Sequence, residues 1–261
     1  MSEELDLSKA PLLTHLIELR RRLIYCLLFF AAAFAVSYNF ADKIYSFLLQ
    51  PLEQAFGIVE NRRMIYTGLH EAFFTYLKLS CFTAFFFTIP LILIQVWRFL
   101  APGLYSHERR SLFPLFLMTP IQFVAGAALA FYVVMPLAWS FFISFESIGG
   151  ESSLAVALEA RLSEYLNIVI QLIIGFGLCF ELPILLMILA KVGLISASSL
   201  IEHRRHAVVC IFLVAAFITP PDLISQIALG TPIVLLYELS IVLIKLTQAD
   251  ATRQMRKRAM Q

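Results

Sequence analysis

The chain has few charged residues for its length. Only 15% of its 261 residues are Asp, Glu, Lys or Arg, whereas soluble domains contain about 25%. Hydrophobic residues make up 60% of the chain, and its mean hydropathy is +0.84. This composition excludes an ordinary soluble domain and predicts an integral membrane protein built as one polytopic domain.

The signatures of the common enzyme and nucleic-acid-binding classes are also lacking. The sequence contains no HExxH, GxSxG, P-loop or GxGxxG motif, and its net charge of +2 comes with no basic stripe interleaved with aromatic residues. We therefore predict no enzyme activity, no nucleic-acid partner and no cofactor. The four cysteines lie in apolar segments without CxxC spacing, which argues against both disulfides and a metal site.

Apolar segments alternate with polar ones in a way that predicts an all-α membrane protein with six transmembrane helices. Residues 1–22 are predicted to form a cytoplasmic amphipathic N-terminus, 23–246 the transmembrane domain, and 247–261 a basic cytoplasmic tail. The predicted spans are about 23–41, 77–97, 112–134, 166–189, 207–219 and 227–246.

Proline and glycine predict where the helices end. Gln50-Pro51 and Gly57 predict a first polar loop over residues 42–71 that holds no single long helix. Pro136 predicts the start of a second polar loop, which runs to residue 163 and opens with aromatic residues typical of a membrane interface.

The last two predicted spans are short. Residues 207–219 reach roughly 20 Å at about 1.5 Å per residue, against a hydrocarbon core of about 30 Å. A tight turn at residues 219–222 then leads into a last helix whose apolar block 233–246 is similarly short, unless residues from 224 onwards extend it. The two helices predict a hairpin that does not fill the thickness of the bilayer, so the membrane is expected to be thinned beside it.

The distribution of positive charge predicts the orientation. Fifteen of the twenty Lys and Arg residues fall in alternate polar segments, at residues 9–22, 98–110, 191–205 and 245–258. Because basic residues concentrate on the cytoplasmic side of a membrane, both termini are predicted to be cytoplasmic.

Two carboxylates, Glu18 and Glu108, fall on this predicted cytoplasmic face. His15, Glu18 and Arg22 share one face of the first helix, so Glu18 either pairs with Arg22 or accepts a cationic ligand. Glu108 follows the candidate N-cap Ser106, and it either complements the helix dipole or joins Glu18 in binding that ligand. Arginine suits such a site, because its planar guanidinium donates two parallel hydrogen bonds to a carboxylate.

Glu181 is predicted to lie inside the membrane, where an ionisable group costs at least about 2.5–3.5 kcal/mol near a helix centre. With Pro183 it interrupts the fourth span, and it either is protonated or paired inside the bundle or serves a function. The same two interpretations apply to Glu238, which has Lys245 two turns away. Such residues favour an alternative function, a proton-coupled secondary transporter, although the two halves show no internal repeat.

Four motifs follow one another along nearly the whole chain. They are HLIELR at 15–20, FLAPGLYSHERR at 99–110, FELP at 180–183 and TPPDLISQ at 219–226. With these motifs the chain resembles the TatC family, the polytopic core of the twin-arginine (Sec-independent) protein translocase.

The resemblance implies a receptor for folded precursor proteins whose N-terminal signal carries two consecutive arginines. It implies export across the bacterial cytoplasmic membrane, powered by the proton-motive force. Glu18 and Glu108 would be the carboxylates that bind the arginines. The other residues implied for the signal-peptide site are Arg20, Phe99, Leu104 and Tyr105.

The resemblance also implies partner subunits, TatA and TatB, each with a single transmembrane helix, in a complex that also holds further copies of this chain. The resemblance implies a concave bundle of helices, and the surface implied for the partners on its concave side includes Pro51, Glu181, Asp222 and Gln226. From the residues alone, Asp222 after two prolines is more simply the N-cap of the last helix.

Overall fold

The computed structural model describes residues 2–57, 64–100, 106–146, 158–219 and 223–258. Within them, side chains are described for 15–57, 64–99, 113–146, 158–219, 223 and 225–247. The described part is mostly helical and contains no strand, only short irregular connections and an isolated bridge between Ile65 and Arg161. Its elements are α1 Ser2–Asn39, α2 Ala41–Phe56, α3 Glu71–Leu100, α4 Ser106–Leu129, a π-helical turn Ala130–Val134, α5 Met135–Ile143, α6 Leu162–Phe180, α7 Leu182–Lys191, α8 Ala197–Glu202, α9 Arg204–Ile218 and α10 Leu223–Arg258.

Four helical segments are long and apolar enough to cross a membrane, namely Glu71–Phe99, Phe113–Ile143, Leu162–Lys191 and Ser225–Thr247. A fifth is formed if His15–Asn39 and Ala41–Phe56, which meet at an angle of 76°, count as one span. The predicted class, an all-α membrane protein, is confirmed. The count of six spans remains a prediction, because α9 is shorter than the other five.

The predicted first loop is partly wrong, because residues 41–56 form α2 and Pro51 lies inside that helix. Tyr45, Leu48 and Leu52 are buried along one side of α2, and this burial keeps the segment helical despite the proline. Gly57 ends the helix as predicted, with a φ of 67° that a residue with a side chain rarely adopts.

The predicted start of the second loop is also wrong. Pro136 lies in the first turn of α5, and the helical segment continues to Ile143. The π-helical turn immediately before it explains the continuity. There the backbone N–H of Met135 donates to the carbonyl of Ala130, five residues earlier, which gives the chain room to pass a proline.

The last helix extends well beyond its apolar block 233–246. α9 has 15 residues and reaches about 22 Å, so it is short as predicted. α10 has 36 residues, and its apolar part Ser225–Thr247 alone reaches about 34 Å. Of the two helices in the predicted hairpin, only α9 is therefore short.

The chain divides into two compact units according to which residues pack together. The first unit comprises Met1–Phe47 and His70–Pro120. In this unit α1 packs along α3. Small hydroxyl residues of α3 are buried, and Ser80 and Thr88 donate to carbonyls one turn earlier, each at 2.8 Å. Such residues allow helix backbones to approach closely without leaving a polar group unsatisfied.

The second unit comprises Leu48–Leu69 and Ile121–Gln261. Its core centres on α6, where glycines replace larger side chains at the helix contacts. A Cβ built on Gly126 of α4 would lie 2.5 Å from the backbone oxygen of Phe176, and one on Gly177 would lie 2.5 Å from the Phe123 ring. At Gly126 the backbone of α6 leaves no room for a side chain, whereas at Gly177 the Phe123 ring would have to shift. Such close approaches at small residues are common in membrane helix pairs.

Candidate functional site

The predicted ion pair between Glu18 and Arg22 is present on α1. The Arg22 guanidinium donates to a single carboxylate oxygen, Glu18 Oε1, from both Nε, at 3.1 Å, and Nη2. Both side chains are partly buried, with 19% of Arg22 and 33% of Glu18 exposed. The pair is therefore more shielded from water than an ordinary surface ion pair.

Arg22 also connects α1 to the C-terminal part of α3. Its Nη1 donates to Gln95 Oε1 at 3.4 Å, and its Nη2 donates to the backbone carbonyl of Arg98 at 3.0 Å. The Arg98 carbonyl belongs to the last turn of α3, where a helix has no N–H of its own to satisfy it. A cation at this end also complements the helix dipole.

A second contact joins the same two helices nearer the N-terminus. The ring of His15 stacks on the ring of Phe99, with centroids 4.1 Å apart and planes at 20°. His15, Glu18 and Arg22 thus lie on one face of α1, as their spacing predicts, and that face packs against α3. The structure brings Phe99, one of the predicted site residues, next to this face.

Arg20 lies elsewhere on α1. It lines an open groove of about 290 Å³ together with five apolar residues of the same helix, Leu16, Leu19, Leu23, Ile24 and Leu27. In the described residues no hydrogen bond or ion pair joins Arg20 to Glu18. The structure therefore separates this predicted site residue from the carboxylate.

The other half of the predicted signal site is less fully described. α4 begins at Ser106, so Glu108 falls in its first turn, as predicted. The side chain of Glu108 and the whole of Leu104 and Tyr105 lie outside the described residues.

The predicted partner surface falls in the second unit. Glu181 is half-buried at the junction of α6 and α7, where its backbone N–H donates to Leu178 and its carbonyl accepts from Leu185. The predicted interruption at FELP is thus confirmed. Gln226 Nε2 donates to the Phe212 carbonyl of α9 at 3.1 Å, and Pro51 is buried in α2. Asp222 lies outside the described residues.

Glu238 has a partner that sequence reasoning missed. Its Oε2 accepts from Arg204 Nη2 at 2.7 Å, which joins α10 to the start of α9, and both side chains are a little under half exposed. The neighbouring Tyr237 hydroxyl donates to the Leu200 carbonyl at 2.8 Å. Glu238 therefore links two helices, and its partner in the described residues is Arg204, not Lys245.

Gln95 was also missed, because a lone glutamine near a helix end carries no signal until its partner is known. The four cysteines are free thiols. In the described residues no three His, Cys, Asp or Glu side chains come together as a metal site would require.

Comparisons with known proteins agree with one another. The family model described as "Sec-independent protein translocase protein (TatC)" matches residues 14–232. The TatC protein of Rickettsia prowazekii is 47% identical over 91% of this chain and 94% of its own, and that of Magnetococcus marinus is 45% identical over 89% and 83%. A crystal structure described as the twin-arginine translocase receptor TatC in DDM superposes with a TM-score of 0.72, at 34% identity over 88% of this chain and 99% of the other.

The comparisons give no support to a secondary transporter. The chain belongs to the TatC family and is a multi-pass membrane component, the core, of the Sec-independent protein translocase.

Proposed function

We propose that this chain is the receptor that recognises twin-arginine signals at the cytoplasmic face of the bacterial inner membrane. One observation carries the proposal. Glu18 already accepts hydrogen bonds from a guanidinium, in a partly buried position where such bonds are stronger than in water. The crystal structure to which the chain is similar is described as a twin-arginine translocase receptor.

In this proposal Glu108 supplies the second carboxylate, and Phe99, Leu104 and Tyr105 form the apolar part of the site. Arg20 lies in the same motif as Glu18 but lines the apolar groove on α1. Its role would be to orient the peptide or to contact the membrane surface, since it does not contact the Glu18 carboxylate in the described residues.

The topology that supports this function has six spans, with α9 as the short fifth span and both termini in the cytoplasm. The excess of basic residues at 9–22, 98–110, 191–205 and 245–258 supports this orientation. The organisation into residues 1–22, 23–246 and 247–261 follows from the same argument.

We further infer that single-helix partners, of the TatA and TatB type, dock on the second unit. α9 is short and exposes apolar side chains, including Phe217 at 83%. Next to it, Gln226 joins α10 to α9, and Glu181 interrupts the α6–α7 span. The bilayer beside α9 would be locally thinned and therefore weakened. Partners and further copies of this chain that assemble there would let folded proteins pass through the weakened bilayer.

The transport step would draw on the proton-motive force, and no chemical reaction or cofactor is proposed. A folded cargo cannot thread through one helical chain of this size, so the passage would form between assembled subunits.

Site-specific crosslinking in membranes tests the proposal. A precursor with a photo-reactive residue beside its two arginines is expected to crosslink to the wild-type chain and not to Glu18→Gln or Glu108→Gln variants of equal abundance. Undiminished crosslinking in both variants would remove the signal-receptor function and leave the two carboxylates as helix-stabilising residues.

A further inference from the structure

Arg22 contacts Glu18 in a one-sided manner. Both of its donors, Nε and Nη2, go to Oε1. Among the described residues, no donor to Oε2 is found. A carboxylate has about four acceptor positions over its two oxygens, so the pair still has capacity for a second guanidinium.

Arg22 is itself fixed by groups other than Glu18. Gln95 Oε1 and the Arg98 carbonyl, both on α3, accept from Nη1 and Nη2. Displacing Arg22 would leave a carbonyl at the end of α3 without this donor and a mostly buried guanidinium without its partners. Removing one partner of a buried ion pair raises the free energy by more than the intact pair lowers it. This argues against Arg22 leaving when a ligand arrives.

We propose that Arg22 is a positioning residue for the recognition of signal arginines. It fixes the Glu18 carboxylate to α3 through Oε1, and it leaves Oε2 as the acceptor for the incoming guanidinium. This inference rests on the proposed function, in which Glu18 binds a signal arginine. It assigns to Arg22 a role distinct from direct contact with the signal.

The planar guanidinium is essential to this role. A single side chain must reach Glu18, Gln95 and the Arg98 carbonyl at once, and three different nitrogen atoms of Arg22 do so. Lysine keeps the charge but offers one nitrogen on a flexible stem. Arg22→Lys should therefore lose much of the positioning while retaining the positive charge at the membrane surface.

The test measures binding of a fluorescent twin-arginine signal peptide to the purified full-length chain in detergent. Arg22→Gln and Arg22→Lys are both expected to weaken binding, by about ten- to a hundredfold for Gln and less for Lys. The matched control is Arg21→Gln, because Arg21 is exposed and contacts only Tyr25 of its own helix among the described residues. The control should bind within about twofold of wild type.

A double-mutant cycle separates positioning from a general structural effect. If Arg22 acts through Glu18, then Glu18→Gln combined with Arg22→Gln should bind as weakly as Glu18→Gln alone. The twin-arginine over twin-lysine preference should fall in Arg22→Lys, although that variant keeps the positive charge and is expected to fold.

Several outcomes would overturn the inference. Tighter binding by Arg22→Gln would make Arg22 a competitor of the signal, unchanged binding would make it a bystander, and additive losses in the double variant would make it independent of Glu18. If Glu18→Gln binds as wild type, the proposed function itself fails. If Glu18→Gln loses binding and Arg22→Gln does not, only the positioning role fails.

Discussion

The imidazole of His15 lies nearly parallel to the ring of Phe99, with 4.1 Å between the ring centroids. This stack joins the cytoplasmic end proposed for α1 to the C-terminal end of α3, one turn from the Glu18–Arg22 pair. It fixes the position of Phe99, which the proposed site uses as an apolar surface.

Loss of this stack should weaken signal binding. An aromatic pair contributes about 0.5–1.5 kcal/mol, so His15→Ala is expected to lower the affinity for a twin-arginine peptide by about two- to tenfold. His15→Phe, which keeps a stacking ring, should bind nearly as wild type. His70→Ala is the control, because His70 also contacts a phenylalanine, Phe74, but immediately before α3 rather than at its end. Equal losses at both histidines would contradict the prediction.

The Arg204–Glu238 pair should contribute to stability and not to signal binding. Both side chains are a little under half exposed, so Glu238→Gln is expected to lower the free energy of unfolding by only about 0.2–1 kcal/mol. Glu238→Arg should destabilise more, because it places like charges together, and Arg204→Glu with Glu238→Arg should restore stability. Thermal unfolding in detergent measures all three. No recovery in the double variant would show that the pair has no energetic role.

Gly126 should tolerate no side chain. A Cβ there would meet the backbone oxygen of Phe176 at 2.5 Å, and a helix backbone cannot move aside as a flexible side chain can. Gly126→Ala is expected to cost about 1–3 kcal/mol, seen as a lower unfolding temperature. The neighbouring Ala125 is exposed, so Ala125→Val is the matched control and should have little effect. A Gly126→Ala variant as stable as wild type would show that α4 and α6 pack less closely.

The length of α9 should matter for transport alone. Inserting four leucines adds about 6 Å, which would remove most of the mismatch with the bilayer. We expect export of a folded precursor to fail while peptide binding stays normal. The control, Val209→Leu with Val214→Leu, changes two exposed residues and keeps the length. Normal export by the lengthened variant would contradict membrane thinning as the basis of transport.

Local patterns predicted part of this structure correctly. The spacing of His15, Glu18 and Arg22 predicted their shared face, because helical periodicity depends only on neighbouring residues. The interruption at Glu181 and Pro183 could also be predicted locally, because a carboxylate and a proline stand close together inside an apolar segment. Prolines were misleading elsewhere, since burial along α2 keeps Pro51 in a helix and a π-helical turn accommodates Pro136. In both places tertiary packing overrode the local preference.

Long-range partners could not be predicted from one sequence. Arg204 and Glu238 are 34 positions apart, and Arg22 and Gln95 are 73 apart. No local pattern connects residues at such separations, so the sequence left open whether Glu238 pairs inside the bundle and did not indicate Arg204. These pairs can be identified only in the folded chain, where α1 packs along α3 and α9 packs along α10.

The most direct test of the account compares twin-arginine and twin-lysine signal peptides, otherwise identical, for binding to the purified wild-type chain and to Glu18→Gln. Wild type is expected to bind the arginine peptide at least about tenfold more tightly, because a planar guanidinium is more weakly hydrated than an ammonium and presents several fixed donors to the open Oε2 of Glu18. In Glu18→Gln that preference should largely disappear. Equal binding of the two peptides by wild type, or an undiminished preference in Glu18→Gln, would contradict the account.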